Sequence, residues 1–132
     1  MFLFGDKQKK LLSDTRLLGR WGQKQCEKFY KTSGCKTLAR NYSCKTGEID
    51  LVMAAGDGTV IFVEVKTRST EKFVDAEASI TSAKKIRMKR AAKLFIKKYE
   101  LQDSPLRFDV VIVIPGKKGK ADIRHYENAF TP

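Results

Sequence analysis

The sequence has no long apolar run. Nothing in its 132 residues approaches the roughly 18 consecutive apolar positions of a membrane-spanning helix. The opening Met1 to Phe4 is interrupted by Gly5 and Asp6, well short of a signal-peptide core. Cysteine is sparse. Cys26, Cys35 and Cys44 are odd in number and form no C-x-x-C pair, which fits neither a disulfide framework nor a common zinc spacing. These absences lead us to expect a cytoplasmic chain kept in a reducing compartment. The single histidine, His125, falls in a stretch that reads as an edge strand, and so as a surface residue. Acidic charge is the minority: 15 Asp and Glu stand against 27 Lys and Arg, for a net charge of +12. Such an excess calls for a polyanionic partner, and nucleic acid is commoner than a membrane for a basic globular domain.

Hydrophobic residues at 42% and aromatics at 10% suffice for one ordinary core, and the length fits a single domain. Residues 1–13, with Lys7, Lys9 and Lys10, read as a flexible basic tail ahead of a domain over 14–132. Leu18, Trp21, Cys26 and Phe29, widened by Leu17 and Tyr30, predict an amphipathic helix over 14–33, capped by Ser13 or Asp14 and stopped by Gly34. Strands are predicted over 36–41, 48–55 and 60–66, and 69–78 reads as irregular or weakly helical. A second helix begins at Thr81 or Ser82 and runs to Tyr99, with Met88, Ala91, Ala92, Phe95 and Tyr99 inward. Lys85, Lys89, Lys93 and Lys97 crowd its outer face. The run FDVVIVI (108–114) has the composition of a central strand, a basic loop covers 115–119, and 122–126 is an edge-strand candidate. Helix, three strands, helix and strand imply one α/β domain with a mixed sheet flanked by helices.

The third strand, VIFVEVK, carries Glu64 and Lys66 among apolar neighbours. Taken alone, an E-x-K in a strand is most simply an ion pair on a solvated sheet face. Asp50, set between Ile49 and Leu51, changes that reading. A three-residue Gly56–Gly58 loop, with glycine at its left-handed position, pairs Ala55 with Thr59 and places Asp50 directly opposite Glu64. Two carboxylates so placed repel each other. A shared divalent cation offsets that repulsion, and Mg²⁺ or Mn²⁺ accepts hard oxygen ligands of this kind while keeping several waters. The Val65 carbonyl is available as a further ligand. Lys66, on the same face, would orient a metal-bound water or offset charge developing on a phosphate.

Asp50 and Glu64-Val65-Lys66 across a hairpin, after an N-terminal helix, resemble the PD-(D/E)XK nuclease superfamily. More closely, the chain resembles the YraN-like family of small bacterial proteins, predicted to be endonuclease-like. The matching blocks span about 17–130. They include Leu18-Gly19-Arg20-Trp21-Gly22, Asn41, Gly47-Glu48-Ile49-Asp50-Leu51, Phe62-Val63-Glu64-Val65-Lys66-Thr67-Arg68, Lys84, Arg107-Phe108-Asp109-Val110-Val111 and Asn128-Ala129-Phe130. The resemblance implies a restriction-endonuclease-like αβββαβ core. It also implies metal binding by Asp50 and Glu64, catalytic roles for Lys66 and Lys84, and cleavage of nucleic acid, DNA rather than RNA and branched by analogy with resolvases, which act as homodimers.

Spacing alone leaves Lys84 either reaching inward to hold a phosphate or snorkelling to water. The family pattern has an acid in the first helix where this chain has Gln23, whose amide can coordinate without bringing charge. That departure favours an alternative, a non-catalytic nucleic-acid-binding module on the same fold. Glu27, a turn beyond Gln23 on the same face, could substitute for that acid but reads first as a solvated helix glutamate, and Glu48 as an exposed acid at a strand entrance. Cys26 reads as packing on the inner helix face. Arg40, Arg68, Lys84 and Lys85, with Lys117, Lys118 and Lys120, are candidates to track a phosphate backbone.

Overall fold

Asp14 caps the first helix, its Oδ1 accepting hydrogen bonds from the amides of Arg16 and Leu17 at 2.9 and 3.2 Å. The computed structural model describes residues 14–69 and 80–132. The basic tail expected over 1–13 and nearly all of the irregular stretch expected over 69–78 lie outside the described residues. Helix α1 (Thr15–Thr32) ends in a Schellman turn. The amide of Gly34 donates to Lys31 and that of Cys35 to Tyr30, and Gly34 takes a φ of +88°, which glycine adopts without a Cβ penalty.

Strands β1 (Lys36–Cys44), β2 (Gly47–Ala54) and β3 (Val60–Thr67) follow, then α2 (Ser82–Lys98), β4 (Leu106–Pro115) and β5 (Ala121–Phe130). The sheet order is β1-β2-β3-β4-β5. Only β3 and β4 are parallel, and α2 lies in the crossover that a parallel pair needs. The result is the α/β fold with a mixed central sheet read from the sequence, and it is compatible with a restriction-endonuclease-like core. Alternation divides the apolar side chains between two layers. Ile61, Val63, Val111 and Val113 pack with Cys26 and Tyr30 of α1, while Val60, Phe62 and Phe108 pack with Met88, Ala91 and Phe95 of α2. At the start of β2 the helix backbone itself is close, since a Cβ on Gly47 would sit 1.9 Å from the Arg87 carbonyl oxygen.

Both edge strands exceed their sequence-based bounds. β1 continues past Asn41 to Cys44, and β5 spans Ala121–Phe130 rather than 122–126. Each contains a register shift, at Thr37/Ala39 and at Phe108/Val110 of its partner ladder, and a left-handed asparagine, Asn41 or Asn128. Bulges of this kind break the two-residue alternation by which a strand is recognised.

Candidate functional site beside the first helix

The hairpin register matches the three-residue loop. Leu51, Val52, Met53 and Ala54 pair with Val63, Phe62, Ile61 and Val60, and Gly58 takes a φ of +92° at the loop. The ladder stops at Leu51 and Val63. One step on, where the register would set Asp50 against Glu64, backbone pairing is replaced by a side chain: the Val65 amide donates to Asp50 Oδ2 at 2.8 Å. The expectation of a directly paired Asp50 and Glu64 is corrected to that extent. The distortion continues into β1, where left-handed Asn41 lies opposite Asp50.

Glu64 is 3% exposed. Its Oε1 lies 3.5 Å from Lys66 Nζ and its Oε2 3.4 Å from Lys84 Nζ. The Lys84 contact is an ion pair without hydrogen-bond geometry, so Oε2 is buried with no hydrogen-bond partner. Burial first, and the Asp50 charge second, push the Glu64 carboxyl up to about 7 despite the two lysines. Burial also raises Asp50, against the opposing pull of the Val65 amide and of Lys84 and Lys66. Lys84 comes from the first turn of α2, where its amide donates to the Thr81 cap. Its side chain turns towards the carboxylates of the site rather than out to water, and Nζ donates to Glu48 Oε1 at 3.2 Å. Burial disfavours its charge, but Glu64 and Glu48 outweigh burial and hold its pKa above the usual lysine value. Glu48 is exposed as expected, yet it is held by Lys84 and, at 3.9 Å, by Arg87.

A cleft of about 970 Å³ opens beside Asp50, between α1 and the ends of β2 and β3. Gln23, Val65, Lys66, Arg40 and Arg68 all line it. Gly22 sets the distance between its walls, because a Cβ there would lie 1.9 Å from Thr67 Oγ1 and 2.9 Å from Thr67 Cβ. Glu27 is a correction: it is buried rather than solvated. It accepts hydrogen bonds from Arg40 at 2.8 Å and Thr37 at 2.6 Å and pairs with Lys31. The Arg40 hydrogen bonds hold its carboxyl near a pKa of about 2. Saturated in this way, Glu27 cannot stand in for an acid at Gln23, and Arg40 spends its guanidinium on Glu27. Lys85 is not brought to the cleft; its Nζ lies 5.7 Å from the Phe130 ring centroid.

Asp50, Glu64 and the Val65 carbonyl supply the hard oxygens that a divalent cation takes, and Glu64 Oε2, which accepts no hydrogen bond, fits that role. Among the described residues no group of three or more His, Cys, Asp and Glu side chains forms a complete protein cage. Any cation here would keep much of its water.

A second polar cluster was missed from the sequence. Asp109, fully buried in β4, accepts from Tyr30 at 2.7 Å, from Arg107 at 2.9 and 3.1 Å and from the Asn128 amide at 2.9 Å. His125 Nε2 lies 2.7 Å from the same carboxylate, so His125 is a partner of the core rather than a surface residue. The available signal was the one used for Asp50, an acid inside an apolar strand. Although burial opposes it, hydrogen bonds from His125, Arg107 and Asn128 hold Asp109 near about 2. This cluster ties α1 to β4 and β5.

The model of a family described as "Uncharacterised protein family UPF0102" matches residues 22–113. A UPF0102 protein of Pelotomaculum thermopropionicum is 39% identical over 121 residues, covering 90% of this chain and all of that protein. One from Symbiobacterium thermophilum is 38% identical over 116 residues (88% and 98% of the two chains). One from Cupriavidus necator is 43% identical over 106 residues, 80% of each chain. Among solved structures, Pyrococcus furiosus SfsA in complex with Ca²⁺ superposes at a TM-score of 0.40 with 15% identity. That match covers 86% of this chain and 63% of that one, too loose a likeness to transfer fold or function. No helix among the described residues is long and apolar enough to cross a membrane.

Proposed function

The chain belongs to the uncharacterised protein family UPF0102, the YraN-like group, and we propose that it is a metal-dependent nuclease that hydrolyses phosphodiester bonds. One observation carries this reading: a buried carboxylate, Glu64, beside Asp50 and within 3.5 Å of two lysine ammonium groups, with one oxygen that accepts no hydrogen bond. Such an arrangement costs several kcal/mol of desolvation, and a cation shared by the two acids would offset it. Asp50, Glu64 and the Val65 carbonyl would hold Mg²⁺ or Mn²⁺. When bound, the cation supplies Lewis-acid chemistry, lowering the pKa of a water and offsetting phosphoryl charge. Lys66, a quarter exposed at the cleft, orients the attacking water and stabilises the extra negative charge as phosphorus becomes five-coordinate. Lys84 balances the acid pair and offers its ammonium to a phosphate oxygen. The net charge of +12 supports a polyanionic substrate. DNA in preference to RNA, and a branched form of it, follow from the resemblance to resolvases.

The test is a cleavage panel of duplex, single-stranded, flap and four-way-junction DNA with Mg²⁺ or Mn²⁺. Asp50→Ala and Glu64→Ala should each lower the rate by at least about 10²-fold. Wild-type rates in both variants would refute the site.

A second reading, nucleic-acid binding without cleavage, is favoured by Gln23 and by the saturation of Glu27, which leave the cleft one acid short. A Mg²⁺ or Mn²⁺ titration separates the two. No site at millimolar metal favours the binding module; a site lost in Glu64→Gln favours the enzyme.

A further inference from the structure

The wall of the cleft facing Asp50 is α1, and its exposed residues include a row of cations. Arg16, Arg20 and Lys24 follow one another at intervals of four, all exposed and all lining the cleft. Among the described residues, no carboxylate forms an ion pair with any of the three. Like charges at this spacing repel and weaken a helix. They stand about 6 Å apart along the axis, a spacing comparable to that of successive phosphates on one strand. Gly19 sits between Arg16 and Arg20 on the same wall. Glycine inside a helix is less stable than alanine, and packing does not require it here: a Cβ at Gly19 would meet nothing within 4 Å. Gly22 is the opposite case, since Thr67 leaves it no room. A missing side chain in open space, between two free cations, leaves helix backbone bare for close approach.

We propose that this face of α1 is the track for one sugar-phosphate backbone of a nucleic-acid duplex, with Arg16, Arg20 and Lys24 on phosphates and the backbone passing over Gly19. The proposal deepens the nuclease reading and rests on it for the phosphate's destination at Asp50 and Glu64. The partner is a duplex rather than a single strand because, among the described residues, no aromatic side chain lines the cleft. Splayed bases would find no ring among these residues to stack on, whereas single-strand sites stack bases on aromatics.

The outer face of α2 supplies an internal control. Lys89, Lys93 and Lys97 have the same spacing and the same charge but lie outside the cleft. Binding of a fluorescein-labelled DNA duplex of about 20 base pairs, and of one of its strands, is measured by anisotropy in EDTA, where cleavage plays no part. Neutralising Arg16, Arg20 and Lys24 together to alanine should weaken duplex binding by about tenfold or more and flatten its salt dependence by about three phosphates. The matched Lys89, Lys93 and Lys97 triple should change it less than about threefold. Gly19→Leu should raise the melting temperature yet weaken duplex binding, a combination that damage to the fold cannot produce. An equal or larger loss from the α2 triple overturns the proposal, as does tighter binding of the single strand, or unimpaired binding in Gly19→Leu. A chain that binds through α1 but cuts nothing sinks the nuclease reading and leaves this one standing; cleavage insensitive to the α1 triple does the reverse.

Discussion

Glu64 is the residue at which stability and chemistry oppose each other. In an unfolded chain it ionises near the ordinary glutamate value of 4.5, whereas in the folded protein burial raises it to about 7. The folded state thus holds its proton more tightly, and stability is lost as pH rises from 4.5 through 7. Glutamine has the shape of the protonated acid without the charge. Glu64→Gln should therefore stabilise the metal-free protein at pH 8 by about 1–2 kcal/mol, or roughly 3–8 °C, while removing cleavage. At pH 4, where the wild-type carboxyl is protonated in both states, the gain should vanish. Melts in EDTA at the two pH values check this, and a destabilised variant at pH 8 would mean that Glu64 is a structural ion pair with Lys66 and Lys84. The acid pair was legible in the sequence because turn chemistry is local: Gly56 to Gly58 fixed the hairpin register, and the register fixed the neighbours. The Val65 amide bond to Asp50 was not legible, since it depends on where the ladder breaks. Nor was Glu27, whose burial comes from Arg40 and Thr37 on a different element.

At the scale of elements, the position of α1 decides whether there is a cleft. Cys26 and Tyr30 pack it on the sheet, and two polar anchors fix it further: Glu27 to β1, and Tyr30 through Asp109 to β4 and β5. Both anchoring carboxyls are depressed to about 2 in the folded state. Their contribution is complete above the unfolded values near 4 and is lost as pH falls towards 2. Asp109→Asn should cost about 2–4 kcal/mol at neutral pH, because it weakens a buried network around Arg107. That deficit should shrink as pH falls from about 4 towards 2, where the unfolded chain takes up a proton that the folded carboxyl still refuses. Urea titrations at pH 7 and pH 2.5 measure it, and a pH-independent deficit would place the loss in packing instead. Gly22→Ala acts on the same element by sterics. Thr67 is β-branched, with its Cβ as well as its hydroxyl in the way, so rotation cannot clear a methyl and α1 must move outward. About 1–3 kcal/mol of stability should be lost, and cleavage should fall further than the melting temperature explains. Element boundaries were legible where capping chemistry marks them, at Asp14, Gly34 and Thr81. They were lost at β1 and β5, where left-handed Asn41 and Asn128 interrupt the alternation. Asp109 and His125 meet across the β4–β5 ladder, and no local signal in either segment names the other.

Over the whole molecule the net charge of +12 overstates what a polyanion would meet. Among the described residues six cations line the cleft: Arg16, Arg20, Lys24, Arg40, Lys66 and Arg68. Two of these are already committed, Arg40 to Glu27 and Lys66 to Glu64. Four remain for phosphates. Each phosphate neutralised on duplex DNA contributes about −0.9 to the slope of log affinity against log salt. Four contacts give a slope between about −3 and −4, so affinity should fall by roughly 10²-fold from 50 to 200 mM salt. If instead the protein bound through its whole basic surface, with the α2 lysines included, the slope would be at least twice as steep. Anisotropy titrations of the metal-free protein across that range read the number directly. A slope near zero would remove nucleic acid as the partner altogether. A slope near −4 that drops to about −1 when Arg16, Arg20 and Lys24 are neutralised would place the binding charge in the cleft that holds Asp50 and Lys66. In that case the excess of basic residues elsewhere raises the encounter rate without choosing where the strand lies.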